Sequence, residues 1–283
     1  MARSTHPHPA KASQAPPPFM DILCAVDGSR GSKEALRQAI ALGGAGATVH
    51  FVAVSSERTF GERAQVDLSE ARAREALDDA AYSAHQAGVD SSARLLHGAS
   101  TADQLLAEAA RHDLLAIGCH GGPRLGGVVT GATATQIAHR TEGPLLVARS
   151  SEGNEFPQSI LLATDGSPGS WAAARTATRL SQAHGSELRL VYVPDGMHPE
   201  HYREVLKQMT VIEKATGFSP TVVDDPGHVT EQILKAVDVT RASLIVIGHR
   251  GARGVRALGS VSERIVHRAP CSVLVVPAGG EAA

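Results

Sequence analysis

The chain has 283 residues, 42% of them hydrophobic, which is enough for two domains of ordinary size, each with its own core. Its net charge of −2 and its pI of about 6.7 lack the basic excess with which a nucleic-acid-binding domain neutralises phosphates. No apolar run approaches the roughly 20 residues that a membrane-spanning helix needs. Composition therefore argues against nucleic-acid and membrane partners.

The first eighteen residues are rich in proline and contain no apolar stretch, which indicates a disordered leader and not a secretory signal. Three cysteines, Cys24, Cys119 and Cys271, form no C-x-x-C pair and are too few for a disulfide scaffold. Cys24 and Cys271 are predicted to be buried thiols, whereas a glycine-rich loop could expose Cys119. We expect a cytoplasmic protein.

From residue 19 to residue 149, short β-rich runs alternate with helical patterns, which is typical of consecutive βαβ units in a parallel sheet. Strands are predicted near 21–26, 48–54, 92–97, 113–118 and 144–149. Helices are predicted over Ser32–Leu42, Glu62–Ala87, Ala102–Arg111 and Ala132–Arg140. Residues 150–158 have the composition of a linker.

The second half of the chain repeats the first. The segment DILCAVDGSRGS, which begins at Asp21, recurs as SILLATDGSPGS from Ser159, so that Asp27 corresponds to Asp165. Further on, LLAIGCHGG pairs with LIVIGHRGA, so that Gly118 corresponds to Gly248. The repeat predicts a second domain over residues 159–277, followed by a tail, residues 278–283.

Each half is predicted to be an α/β doubly wound, parallel five-stranded sheet with strand order 3-2-1-4-5 and helices on both faces. In that order the chain reverses direction between the first and fourth strands, and ligands bind at the carboxyl ends of these strands. The apolar fifth strands, at Leu145–Val147 and Val273–Val275, would be open sheet edges in separate domains. We therefore expect the two halves to dock edge to edge through their fifth strands.

A glycine-rich segment, IGCHGGPRLGGVVTGATA, follows the fourth strand of the first half and leads into a helix. Glycine lets backbone N–H groups approach phosphate oxygens, and the start of the helix adds the positive end of its dipole. A mobile surface loop is the alternative that the same glycines permit. The position of the segment at the switch point favours phosphate binding.

Other nucleotide and enzyme motifs are missing from the sequence. No glycine precedes a lysine, which excludes a Walker A loop, and the first βα turns do not give G-x-G-x-x-G. The sequence also lacks the G-x-S-x-G elbow of hydrolases and the H-x-x-x-H spacing of a helical metal site. No catalytic residue and no metal ligand is predicted.

The spacing Gly118-x-x-Gly121, nine residues, then Gly131, resembles the universal stress protein family. Asp27 at the end of the first strand and the closing segment RAPCSVLVV add to this resemblance, which covers nearly the whole chain after the leader, once per half. Members with this pattern bind ATP, with slow hydrolysis or none. The resemblance therefore implies an adenine nucleotide, ATP or ADP, with or without Mg²⁺.

The family pattern also implies the positions of the contacts. It places adenosine against Ala25, Asp27 and Val54, and the phosphates on Gly118, Gly121, Gly131, Ala132 and Thr133. The corresponding positions of the second half are Ala163, Asp165, Val193, Gly248, Gly251, Gly259, Ser260 and Val261. A carboxylate at Asp27 can accept hydrogen bonds from a ribose, but it could equally be an N-cap-like residue of the following helix.

Both halves depart from the family pattern. The first half has Ala132 where a hydroxyl is expected, with Thr133 one place later. The second half retains Gly259 and Ser260, but only seven residues follow Gly251 before Gly259. A short loop displaces several backbone donors at once, so we predict that the first half is the better nucleotide site. Three arginines in the short loop of the second half oppose this ordering, because they could pair with phosphate: Arg250, Arg253 and Arg256.

Three functions follow from this interpretation. The first is a stress-response regulatory protein that binds ATP or ADP, whose two halves form an internal pseudo-dimer and which assembles further into a homodimer. The second is an interaction or signalling module in which one or both nucleotide sites are vestigial. The third is an adenine-nucleotide enzyme. The sequence speaks against it, because it contains neither the glycine-serine loop nor the H-x-G-H segment that such enzymes use.

Overall fold

The computed structural model describes residues 17–44, 46–55, 63–119, 131–150, 156–194, 199–217, 222–223, 227–249 and 258–279. The predicted leader (1–18), linker (150–158) and tail (278–283) lie largely outside these ranges. In the described part of the chain, no helix combines the length and apolar character that crossing a bilayer requires.

The two halves follow the same order of elements. In the first half these are β1 (Asp21–Ala25), α1 (Arg30–Gly43), β2 (Thr48–Ser55), α2 (Arg63–Gln86), β3 (Asp90–His97), α3 (Thr101–Ala109), β4 (Leu114–Gly118), α4 (Ala132–Arg140) and β5 (Leu145–Ala148). In the second half they are β6 (Ser159–Thr164), α5 (Pro168–His184), β7 (Glu187–Tyr192), α6 (Pro199–Thr216), β8 (Val222–Val223), α7 (Val229–Thr240), β9 (Leu244–Gly248), α8 (Ser260–Arg268) and β10 (Ser272–Val276). Every strand and helix predicted for the first half is confirmed, with ends shifted by two residues or fewer.

All the strands belong to one sheet with the order β3-β2-β1-β4-β5-β10-β9-β6-β7-β8. Within each half the pairing is parallel and the order is the predicted 3-2-1-4-5. The sequence predicts two five-stranded sheets, whereas the structure joins them into one continuous ten-stranded sheet. The α/β class and doubly wound topology are confirmed.

The halves join through β5 and β10, as predicted from their apolar sequences. These strands pair in antiparallel fashion, with Leu146 opposite Leu274 at the centre of the register. Every residue of both strands is buried. Separating the halves would expose this apolar seam to water. The cost would be high, because complete burial of one leucine or valine side chain contributes about 1.5–3 kcal/mol.

Each face of the sheet carries one core that extends across both halves. Helices α1, α2, α5 and α6 cover one face, and α3, α4, α7 and α8 cover the other. Strand residues alternate between the faces, so that Leu146 and Leu274 belong to the first core and Val147 and Val273 to the second. The apolar surface of the seam therefore belongs to cores that both halves share.

Polar side chains fasten helix α1 to the seam. The buried amide of Gln38 donates to Arg149 O (2.8 Å) and accepts from Ser272 Oγ (2.8 Å), while Arg149 N–H donates to Ser272 Oγ (3.0 Å). The Arg149 side chain is also buried and donates to Val266 O. Gln38 and Arg149 come from the first half and Ser272 from the second, so these hydrogen bonds cross the junction.

The first βα turn of each half contains a glycine with positive φ, Gly28 (+74°) and Gly166 (+73°). Their surroundings differ. A Cβ at Gly28 would lie in ordinary contact with Ala76 Cβ, at 3.8 Å, whereas one at Gly166 would lie 2.4 Å from the backbone oxygen of His201 in α6. Helix α6 thus packs directly onto the first turn of the second half.

This contrast predicts unequal costs for the same substitution. Gly28→Ala should lose about 1–2 kcal/mol of stability, because alanine is strained in a left-handed conformation. Gly166→Ala carries the same strain and also forces α6 away from the turn, so its loss should be clearly larger. Urea unfolding of the two variants measures the difference. Equal unfolding midpoints would show that α6 does not press on the second turn.

Candidate functional site

The candidate site of the first half lies at the carboxyl edge of β1 and β4. There the first turn of α1 packs backbone to backbone against the end of β4. A Cβ at Gly118 would lie 2.2 Å from the carbonyl carbon of Gly31, and a Cβ at Gly31 would lie 2.7 Å from Cys119 O. Gly118 is therefore required for this close approach, whatever ligand it contacts. Cys119 is buried, so the expectation that the loop could expose its thiol is wrong.

Asp27 lies in the turn between β1 and α1 and is exposed. Its Oδ1 accepts from Ser29 N–H at 2.9 Å, whereas Ser29 is the N-cap of α1 and accepts from Ser32 N–H. The N-cap alternative for Asp27 is therefore wrong, and the side chain instead orders the turn that precedes the cap. At the adjacent strand ends, Ala25 and Val54 are only half-buried. An exposed carboxylate and two partly open apolar side chains line this part of the edge.

Helix α4 begins at the same edge, because a helix that leads into a parallel strand runs antiparallel to it. Its N-cap is Gly131, which offers no side chain, and no side chain among the described residues caps the helix. The next residues, Ala132 and Thr133, are exposed. Within the described part of the chain, the first N–H groups of α4 therefore have no side-chain partner, and the helix dipole favours negative charge there. Gly121 and the rest of the loop, residues 120–130, lie outside the described residues.

Gly131, which the family pattern places on the phosphates, does not have the positive φ for which turns often need glycine. Its φ is −63° and its ψ 158°, an extended conformation that any residue can adopt. A Cβ there would meet no described atom within 4 Å. Neither backbone strain nor close packing against the described protein therefore requires glycine at this position.

The second half has the same framework. Asp165 Oδ1 accepts from Ser167 N–H at 3.0 Å, and Ser167 is the N-cap of α5. A Cβ at Gly248 would lie 3.1 Å from the backbone of Gly169, the counterpart of the close approach in the first half. Helix α8 begins after Gly259, and no side chain of the described residues caps it; Ser260 is exposed and Val261 half-buried. Gly251 and the arginines Arg250, Arg253 and Arg256 lie outside the described residues.

The carboxyl edge of the second half is more closed than that of the first. Ala163 and Val193 are 3% and 8% exposed, whereas their counterparts Ala25 and Val54 are half-buried. Asp165 is half-buried where Asp27 is exposed. Two positions that would contact an adenosine are therefore already covered in the second half.

Helix α6 is held over the second half by a buried polar network. Thr164 Oγ1 donates to Gln208 Oε1 at 2.7 Å, and Gln208 Nε2 donates to Ser170 Oγ at 3.0 Å. Gln208 is fully buried, and leaving its amide without partners would cost about 1–3 kcal/mol. The network thus links β6, α6 and α5. Nothing in the glycine spacing signals this network, which the sequence analysis missed.

Ionisable groups near the seam are shifted by burial. Burial lowers the pKa of the Arg149 guanidinium, against the opposing influence of Cys119 and Cys271. Burial likewise raises the pKa of the Cys271 thiol to about 12, although Arg149 lowers it in part. A thiol with so high a pKa is protonated at neutral pH, so Cys271 is not an activated nucleophile.

A second polar cluster, Asp21, His50 and His112, lies at the opposite edge of the first half. Its members are far apart in the chain and belong to three different segments, so no sequence pattern reveals it. Only the pairing of β1 with β2 and β4 brings them together.

Comparison with known proteins agrees with the geometry of the two halves. The family model described as the universal stress protein family matches residues 18–149 and again residues 157–277. The chain belongs to this family. It is therefore a tandem universal stress protein, as the sequence resemblance implied.

Known relatives of this universal stress protein include both single-domain and tandem chains. One from Thermus aquaticus, named universal stress protein in QAH/OAS sulfhydrylase 3′ region, is 37% identical over 134 residues, which are 98% of that protein and 42% of this chain. A universal stress protein from Mycolicibacterium smegmatis is 26% identical over 194 residues, 62% of this chain and 66% of the relative. The crystal structure of a universal stress protein from Archaeoglobus fulgidus superposes with a TM-score of 0.77 and 22% identity, covering 91% of this chain and 98% of its own. That likeness shows a shared fold.

In this universal stress protein, Gly131→Val tests whether an anion approaches the start of α4. The fold should survive with a loss of no more than about 1 kcal/mol, because valine tolerates the observed φ and ψ and is only a poorer N-cap than glycine. Any adenine nucleotide that co-purifies with the protein should fall in amount, because the added side chain would stand where a phosphate meets the helix. Mass spectrometry of the heat-denatured supernatant, with urea unfolding alongside, measures both.

Gly143→Val provides the matched control, since Gly143 also has open surroundings but precedes β5 at the other edge of the sheet. It should keep its nucleotide. Full nucleotide content in Gly131→Val would contradict a contact at this glycine.

Proposed function

We propose that this universal stress protein is a regulatory protein that binds ATP or ADP at the carboxyl edge of its first half. The observation that carries the proposal is the start of α4 after Gly131, which no described side chain caps, at the edge that also carries the exposed Asp27. Such a helix start binds phosphate with backbone N–H groups, and the nearby carboxylate suits a ribose. Stress response is the role of the family to which the chain belongs.

In the proposed complex each part of the edge has its own role. Ala25 and Val54 pack against the adenine, and Asp27 accepts from ribose hydroxyls while Ser29 N–H holds its Oδ1 in place. The phosphates lie on the N–H groups of Ala132 and Thr133. The exposed hydroxyl of Thr133 replaces the one that Ala132 lacks. Mg²⁺, where present, accompanies the phosphates.

We propose binding and sensing, and not catalysis. The sequence contains no Walker A lysine and no nucleophile elbow, and Cys271 is a protonated, buried thiol. Nucleotide occupancy would then report on cellular ATP through partner proteins. A cytoplasmic location fits three buried free cysteines. A homodimer of the tandem chain would have to use another face, because β5 and β10 already pair with each other.

A second candidate function, a vestigial site that serves interaction, applies to the second half. There α6 covers the first turn, and Ala163 and Val193 are buried. On its outer side α6 exposes Tyr202 (43%) and Leu206 (42%), one helical turn apart. These features favour a surface for a protein partner over a second nucleotide site.

The pair Asp27→Ala and Asp165→Ala tests the proposal. Asp27→Ala should lower the nucleotide affinity about 10- to 100-fold, since a charged hydrogen bond contributes about 1.5–3 kcal/mol. Asp165→Ala should leave the protein loaded. The nucleotide released by denaturation, identified and quantified by mass spectrometry, gives the answer.

Asp27→Asn serves as the structural control, because its amide oxygen can still accept from Ser29 N–H. It should fold like the wild type and retain more nucleotide than Asp27→Ala. If Asp165→Ala empties the protein while Asp27→Ala leaves it loaded, the second half is the nucleotide site. If the wild type carries no adenine nucleotide and takes up none when ATP is added, the proposed function fails.

A further inference from the structure

Two imidazoles and a carboxylate converge at the amino edge of the first half. His112 Nδ1 lies 2.5 Å from Asp21 Oδ1, and His50 Nε2 lies 3.0 Å from the same oxygen. The two rings face each other with centroids 4.8 Å apart. One ligand atom from each of the three residues lies within 4.8 Å of the others. This cluster is at the edge of the first half opposite the proposed nucleotide.

The backbone holds the cluster in place. Asp113 N–H donates to Asp21 O at 2.8 Å, and Asp21 N–H donates to Asp113 Oδ2 at 3.1 Å, so that β1 and the residues before β4 are tied together. His50 lies opposite Leu23 in the register of β1 with β2. Because neighbouring β-strands fix these positions, little ordering remains to be done when a ligand binds.

We propose that Asp21, His50 and His112 form a Zn²⁺ site with three protein ligands and a water in the fourth position. Two nitrogens and one oxygen suit zinc, whereas Mg²⁺ and Ca²⁺ prefer oxygen ligands alone. In tetrahedral zinc sites the ligand atoms are about 3.3 Å apart, given bonds of about 2.0–2.1 Å. The two short contacts to Asp21 therefore need to open by less than about 1 Å.

The surroundings orient both imidazoles, as the outer shell of a zinc site does. Ser92 Oγ lies 2.8 Å from His50 Nδ1 and can accept from Nδ1–H, which leaves the Nε2 lone pair for the metal. Glu108 Oε1 lies 3.8 Å from His112 Nε2. Glu108 is itself held by ion pairs with Arg94 and Arg111. The ring nitrogen of His50 that faces away from the cluster thus has a hydroxyl as its neighbour, and that of His112 has a carboxylate.

A cavity of about 160 Å³ reaches the cluster. His50 and His112 form part of its wall, together with Ser92, Arg94 and Glu108. Water can therefore reach the open coordination position. The His112 side chain is only 9% exposed, so the metal would be partly shielded from solvent.

The second half does not repeat this cluster, although it repeats the fold. Ser159 corresponds to Asp21, Arg189 holds the position of His50 opposite the matching leucine, and Ala242 precedes the residue that pairs with Ser159. The arrangement is therefore a property of the first half, with one proposed zinc ion per chain. It does not depend on nucleotide binding, and the two proposals fail independently.

Titration of the chelator-treated full-length protein with Zn²⁺, followed by competition with a chromophoric chelator, tests the site. The wild type should bind one equivalent tightly. His50→Gln and His112→Asn should weaken binding by more than about 100-fold, because loss of outer-shell partners alone costs 10- to 100-fold. His112→Asn retains a donor toward Asp21, so the fold is not at risk from an unpaired carboxylate.

Two controls separate this cluster from the other histidines. The leader contains His6 and His8, and His97 is exposed at the end of β3. His6→Ala/His8→Ala and His97→Gln should bind like the wild type. Co²⁺ in place of zinc should give a tetrahedral visible spectrum without a thiolate charge-transfer band, because no cysteine belongs to the cluster. No stoichiometric zinc binding, or binding that survives His50→Gln and His112→Asn together, would overturn the proposal.

Discussion

The pairing of β5 with β10 is the contact on which the rest of this molecule depends. It turns two five-stranded sheets into one and buries both fifth strands completely. An unpaired apolar edge is a template for aggregation, and here each half covers the edge of the other. The hydrogen bonds of Gln38, Arg149 and Ser272 then fix α1 of the first half against β10 of the second. The tandem is thus a single unit with a two-sided core.

That pairing also decides where ligands can bind. Strands within each half are parallel, but β5 and β10 are antiparallel, so the carboxyl edges of the halves point in opposite directions. Each half therefore has its own crevice, and neither site can share phosphate contacts with the other across the seam. The two crevices were free to diverge: Ala25 and Val54 are half-buried in the first, whereas Ala163 and Val193 are buried in the second. The histidine cluster is remote from the proposed nucleotide because it lies at the amino ends of the parallel strands of the first half, opposite their carboxyl ends.

Much of the fold can be predicted from the sequence, because the same pattern of strands and helices occurs in both halves of the chain. The alternation of strands and helices, the strand order and the apolar fifth strands all depend on patterns that neighbouring residues carry. Two kinds of feature did not follow. The sequence does not show whether Gly131 needs a positive φ, because glycine also occurs in extended backbone, and only the structure gives its φ of −63°. Gly118 was assigned to phosphate alone, whereas it also lets α1 approach β4.

Contacts between distant segments account for the features that sequence reasoning missed. Gln208 reads as one polar residue in an amphipathic helix, and its buried partners Thr164 and Ser170 become neighbours only in the folded chain. The ligand atoms of Asp21, His50 and His112 meet through strand register. The asymmetry between the two sites that loop length predicts stays a prediction, and the burial of Ala163 and Val193 favours it.

The stoichiometry of ATP binding tests this asymmetry most directly. Equilibrium dialysis of the nucleotide-stripped, full-length protein against labelled ATP counts the sites without altering any residue. An open first crevice and a covered second one predict one equivalent of ATP per chain at saturation. Two equivalents of equal affinity would contradict the account, because an adenosine in the second half would have to reach Ala163 and Val193, which are buried.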